Sequence, residues 1–192
     1  KLAEMMQVEL LPASYQAIAG GITPSSKAYY AYLQGNGYLH RYESSGSLDS
    51  AIACFSAAVR EDSNYALGYA GLGEAYLWKY NLSLDATWAS LATENATRAL
   101  DIDDRLVPVL VTLGHIHRLT GQYGEAVRYL QQALQVDSMN NATYRALAQA
   151  LESQGRFAEA QRSYEAAVRL RPDYWLNYYY LAAFLATRDR RE

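Results

Sequence analysis

Apolar positions along this chain fall at the three- and four-residue spacing that puts them on one face of an α-helix. Ala126, Leu130 and Ala133 stand at i, i+4 and i+7, and Leu113, Gly114 and His117 at i, i+1 and i+4. The pattern also returns over a longer distance. Leu113-Gly114, Gly121, Ala126, Leu130 and Ala133 reappear as Leu147-Ala148, Gly155, Ala160, Tyr164 and Ala167, each 34 positions on (Leu113 to Leu147, Ala133 to Ala167). A small residue after leucine lets two helix backbones approach. A glycine at the turn accepts the left-handed conformation that ends a helix. Only Pro12, Pro24, Pro108 and Pro172 interrupt the chain, so long stretches are free to be helical.

A 34-residue period with this motif resembles the tetratricopeptide repeat. Tyr69, Leu72-Gly73 and Tyr76 reproduce the family's opening motif with tyrosine for tryptophan, and Pro172 stands where that motif ends. The resemblance implies an all-α fold, a tetratricopeptide-type right-handed superhelix (a solenoid) of antiparallel helix pairs. The array covers residues 27–188, with repeats at about 27–65, 66–106, 107–140 and 141–174 and a half repeat at 175–188. The second unit carries a surplus of residues around Asn81–Thr87. Residues 1–26 read as an N-terminal helical linker or cap, and Thr23-Pro24 as the N-cap and first position of the first helix. No hairpin of this kind buries its apolar face alone, so the stack is the stable unit.

Composition changes this picture mainly by exclusion. The formal net charge of −3 and the lack of a basic block argue against nucleic acid. No stretch is apolar enough for a membrane span in this segment. Cys54 stands alone in an apolar helical run and reads as a small packed hydrophobe. His115 and His117 are two apart on a helix and cannot share a metal, His117 reading as a packed residue and His115 as one that faces the groove. His40 has no companion motif. Asp101, Asp103 and Asp104 look like a calcium loop until Leu106 is found where glycine is needed. Phosphate-loop and nucleophile-elbow motifs are missing. Asn81, Asn95 and Asn141 satisfy the glycosylation rule by letter only. Neither a catalytic residue, a metal nor a cofactor is expected.

The chemistry left is a surface. In the resembled family the first helix of each repeat lines a concave groove. Carried over by position, this implies partner-binding roles for Ala70, Glu74, Leu77, Trp78, Val111, His115, Arg118, Arg145, Gln149 and Tyr179. The lysine and asparagine of the family's carboxylate clamp are absent at the matching pairs (Ala70/Glu74, Val111/His115, Arg145/Gln149), so that binding mode is not implied. The expected partner is a peptide or helix of another protein. Residues 31–42 and 47–77 are further similar to repeat regions of bacterial serine/threonine kinase-like and TolB-like or winged-helix regulators. That implies the interaction arm of a bacterial signalling protein, cytoplasmic, or periplasmic if the parent is a membrane-anchored kinase. Two alternatives stand beside it. One is a homodimer formed through Leu181, Phe184 and Leu185 on a last helix without its partner helix; the other is a regulatory appendage of an enzyme encoded in the same chain.

Overall fold

A computed structural model of the chain describes residues 23–42 and 46–189. Within them lie nine helices and no strand: α1 (Ser26–Leu39), α2 (Ser47–Glu61), α3 (Ala66–Ser83), α4 (Ala86–Ile102), α5 (Val107–Leu119), α6 (Tyr123–Val136), α7 (Asn141–Ser153), α8 (Phe157–Leu170) and α9 (Trp175–Asp189). The expected linker or cap over 1–26 lies mostly outside the described residues. None of the described helices is long and apolar enough to cross a membrane.

Each odd-numbered helix from α1 to α7 packs on the even-numbered helix that follows it, and each pair packs on the next element. The odd-numbered helices also touch one another in sequence, α1 with α3 through to α7 with α9. Among the described residues no two even-numbered helices touch. Pairs that converge along one edge and splay along the other must curve, with the odd-numbered helices on the inside. This is the all-α superhelix of helix pairs that the 34-residue period implies, and it gives the molecule a concave face. The core is divided accordingly into a row of clusters, each shared between neighbouring hairpins.

Within a hairpin, a small residue of the first helix receives a large one from the second. A Cβ added at Gly114 would lie 2.6 Å from Leu130 Cγ, so the leucine occupies the space that glycine leaves. One repeat on, Ala148 and Tyr164 are both buried. The turns between α5 and α6 and between α7 and α8 use Gly121 at φ +78° and Gly155 at φ +79°. A β-carbon is disfavoured there, as the sequence implied.

The connections between repeats carry a device that the motif does not predict. Asp62 Oδ1 accepts Asn64 N–H at 2.9 Å, Asp103 Oδ1 accepts Arg105 N–H at 3.0 Å, and Asp137 Oδ1 accepts Met139 N–H at 3.1 Å. Each aspartate is the C-cap of its helix and turns the chain toward the next hairpin. Asp103, the centre of the apparent calcium loop, thus serves as a turn.

One expectation needs correction. The N-cap of α1 is Ser25, whose hydroxyl accepts Ala28 N–H at 3.2 Å, and not Thr23. Thr23 is buried and its hydroxyl donates to Asp62 Oδ2, tying the entry of α1 to the end of α2. The surplus of the second repeat is built into its two helices. It lengthens α3 to 18 residues and α4 to 17, against 13 and 14 for α5 and α6. Only Leu84 and Asp85 connect the two long helices, with Leu84 in the left-handed region at φ 56°.

Candidate protein-interaction groove

The concave face is built by side chains of α3, α5, α7 and α9 that point away from the even-numbered helices. At its N-terminal part Glu74 is open to solvent yet closely surrounded by the curving walls. Burial pushes its carboxyl above the usual range, with Trp78 and the nearby His40 opposing the rise. Trp78 stacks on Tyr42 at 4.1 Å and 16° between planes, so the indole bridges the first and second hairpins. Lys79 pairs with Asp49 at 2.5 Å and lies 4.5 Å from the centre of the Trp88 ring.

Further along, His115 is half-buried and its imidazole is pushed down to about 4, first by burial and then by the positive charge of Arg118. A histidine this hard to protonate gives the chain a defined acid sensitivity. The unfolded imidazole titrates near its ordinary 6.5 and the folded one near 4, so between these values the unfolded chain binds the extra proton. Stability present above pH 6.5 is lost as pH falls toward 4, by on the order of 2 kcal/mol. Urea titrations of the wild type and of His115→Gln at pH 7 and pH 4.5 check this. The wild type should lose more stability than the variant, and parallel curves would contradict the assignment.

At the C-terminal end the groove deepens into a cavity of about 560 Å³ between α5, α7, α8 and α9. Its polar wall is Arg118, Gln149, Glu152 and Ser153, and its apolar floor includes Phe157, Tyr164 and Phe184. Tyr164 Oη donates to Glu152 Oε2 at 3.1 Å, and burial raises the phenol above its ordinary range. Arg145, one turn back on α7, is held by Asn177 of α9. Its Nη1 donates to Asn177 Oδ1 at 2.6 Å, and its guanidinium lies 5.3 Å from the centre of the Tyr174 ring.

The positions expected to bind a partner therefore divide. Arg118 and Gln149 share the cavity; Glu74 and His115 stand in the shallower groove. Ala70 and Val111 are half-buried against the core clusters and Trp78 is committed to Tyr42. Leu77 needs correction: only 7% exposed, it belongs to the core between the second and third repeats and offers no groove surface. Tyr179 stands at the register of Arg145 but, with no described helix packed beyond α9, is 59% exposed and edge-on to Trp175 and Tyr180.

The self-association face also differs from the expectation. Phe184 is 2% exposed and packs on Tyr164 at 5.4 Å, and Leu181 is half-buried against the same cluster. Of the three residues only Leu185 is exposed; Trp175, Tyr178 and Tyr179 are the other exposed large apolar residues of α9. The one-repeat reading missed Phe157, Tyr164 and Phe184 as cavity residues because two of them come from a second helix. The available signal was the change from Leu130 to Tyr164 and from Tyr123 to Phe157 between otherwise matching repeats.

Comparison with known proteins agrees with this architecture. Residues 108–173 match a tetratricopeptide repeat family model. The chain is 23% identical, over 199 aligned positions, to Superkiller protein 3 of Schizosaccharomyces pombe, covering 86% of the chain but 14% of that protein. Among solved structures, a thermophilic tetratricopeptide-repeat protein of Thermus thermophilus superposes with a TM-score of 0.76 at 22% identity, over 91% of this chain and 86% of that one. MamA residues 41-end from Desulfovibrio magneticus RS-1 superposes with a TM-score of 0.65 at 17% identity, over 87% and 88% of the two chains. At these identities the structures speak for the fold alone.

Proposed function

We propose that this tetratricopeptide-repeat protein is a non-catalytic scaffold whose concave face holds a peptide or helix of a partner protein. The observation that carries the reading is the inner row of mutually touching odd-numbered helices, which ends in a cavity having both a polar and an apolar wall. A groove of this kind presents side chains from several repeats to one extended or helical segment, so affinity accumulates along it without any single dominant contact. Charge adds direction. Glu74 lies toward one end and Arg118, Arg145 and Arg188 toward the other, which favours one orientation of a segment with separated charges. The resemblance of residues 31–42 and 47–77 to bacterial regulators fits a scaffold that brings a signalling chain to its target.

The test fills the cavity without disturbing the core. Ser153 and Ala183 line the cavity and are exposed. In affinity purification from a lysate of the source organism, Ser153→Arg/Ala183→Arg should lose proteins that the wild type captures. Gln131→Arg, on the outer helix α6, should keep them. Identical captured sets for all three proteins would contradict the reading.

A further inference from the structure

The cavity between α5, α7, α8 and α9 contains a guanidinium, that of Arg118, which no described residue pairs. Among the described residues Arg118 makes no side-chain hydrogen bond and no ion pair, and its Nε–H is buried without an acceptor. Arginine stays charged, and a buried N–H donor left without an acceptor is costly. The cavity's own carboxylate, Glu152, turns its Oε2 to Tyr164 Oη and forms no ion pair with Arg118. Ser153 is turned away too, its hydroxyl donating to Gln149 O at 2.9 Å. Beside this charge the floor is aromatic, and Arg188 lies over it with its guanidinium 5.3 Å from the centre of the Phe157 ring.

We propose that this cavity receives an acidic–apolar pair from the partner segment: a large apolar side chain over Phe157 and Phe184, and a neighbouring Asp or Glu carboxylate on Arg118. The inference rests on the groove reading and adds the chemistry of its occupant. Two observations select that chemistry. A volume of about 560 Å³ exceeds what a lone carboxylate fills and suits a ring together with a short acidic side chain. The one glutamate of the lining forms no ion pair with Arg118, and the buried Nε–H of Arg118 has no acceptor among the described residues, so an incoming carboxylate has a donor to meet. Against an aromatic floor a carboxylate–guanidinium contact is stronger than in open water.

The probes are three blocked dipeptides in which the only carboxylate is a side chain: acetyl-Asp-Phe-amide, acetyl-Asn-Phe-amide and acetyl-Asp-Ala-amide. Binding is followed on the whole chain by NMR, through the Arg118 Nε–Hε signal and the amides of Ser153 and Phe184. The first probe should give saturable shifts at these signals in the millimolar range. The second and third should bind at least tenfold more weakly, and Arg118→Gln should abolish the response while keeping the wild-type melting curve. A fourth probe, acetyl-Asn-Phe with a free C-terminal acid, separates a terminal carboxylate from a side-chain one. The proposal is overturned if the asparagine amide binds as well as the aspartate, if the free terminal acid is the preferred probe, if the shifts lie away from the cavity, or if none appear. Should the probes fail while the cavity-filling double variant still loses partners, the acidic–apolar occupant is wrong and the scaffold reading stands. Failure of both removes the groove itself.

Discussion

Phe55→Ala is expected to unfold the first hairpin while the C-terminal repeats stay folded. Phe55 has no exposed surface, and its ring is wedged between α1 and α3 where neither helix has a side chain. A Cβ at Gly35 would lie 2.6 Å from the ring and one at Gly71 2.5 Å, so two glycines on two helices form the socket for one phenylalanine. Tyr32 closes it at 5.9 Å between ring centres. Truncation removes the ring and leaves a void that the glycine backbones cannot collapse into, a loss of about 4 kcal/mol. Among the described residues α1 packs only on α2 and α3, so the damage stays local. In an array held by nearest-neighbour contacts, a weak end frays before the whole unfolds. Hydrogen exchange read by mass spectrometry should show lost protection in α1 and α2 and near-native protection in α6 through α8. A single cooperative melt with protection lost evenly along the chain would contradict this.

Asn177→Leu should release α9 at the other end and lower stability by about 3 kcal/mol. Asn177 is fully buried and every polar atom of its amide is used. Nδ2 donates to Ala167 O at 2.8 Å and to Arg171 O at 3.0 Å, while Oδ1 accepts from Arg145 Nη1 at 2.6 Å and from Asn141 Nδ2 at 3.2 Å. Leucine keeps the branched shape of the amide and leaves no cavity, so the effect reports mainly on the lost polar pairing. The charged contact to Arg145 matters most, because that half-buried guanidinium would lose its only hydrogen bond to the last helix. The consequence reaches the groove, as α9 supplies Tyr180, Ala183 and Phe184 to the cavity. A melting temperature lower by roughly 9 °C, with faster exchange confined to α9 and the end of α8, is the expected result. A shift of only a degree or two would mean that α9 is held by its apolar contacts alone.

The two variants probe the same design from opposite ends. At the first hairpin a large residue fills a space made by missing side chains. At the last, Arg171 stands where the earlier repeats have Asp62, Asp103 and Asp137, and the connection is held instead from α9, where Asn177 Nδ2 donates to the carbonyls of Ala167 and Arg171.

The sequence by itself determined the helices, their pairing and the order of the stack. Those features follow from local rules: apolar spacing sets the buried face, Gly121 and Gly155 set the turns, and small-against-large pairs such as Gly114 and Leu130 set how closely a hairpin closes. Only the tertiary structure decided what the concave face offers. Whether a groove position is surface or core depends on helix rotation and on neighbours a repeat away. Hence Leu77 and Phe184 are buried, Trp78 is taken up by Tyr42, and Arg145 is claimed by Asn177, 32 residues further on. Arg118 has no ion pair among the described residues, and the carboxylate that shares its cavity, Glu152, turns to Tyr164 from a second helix. A one-dimensional period carries the spacing within a repeat, but it does not carry the long-range pairing that settles which charges are satisfied.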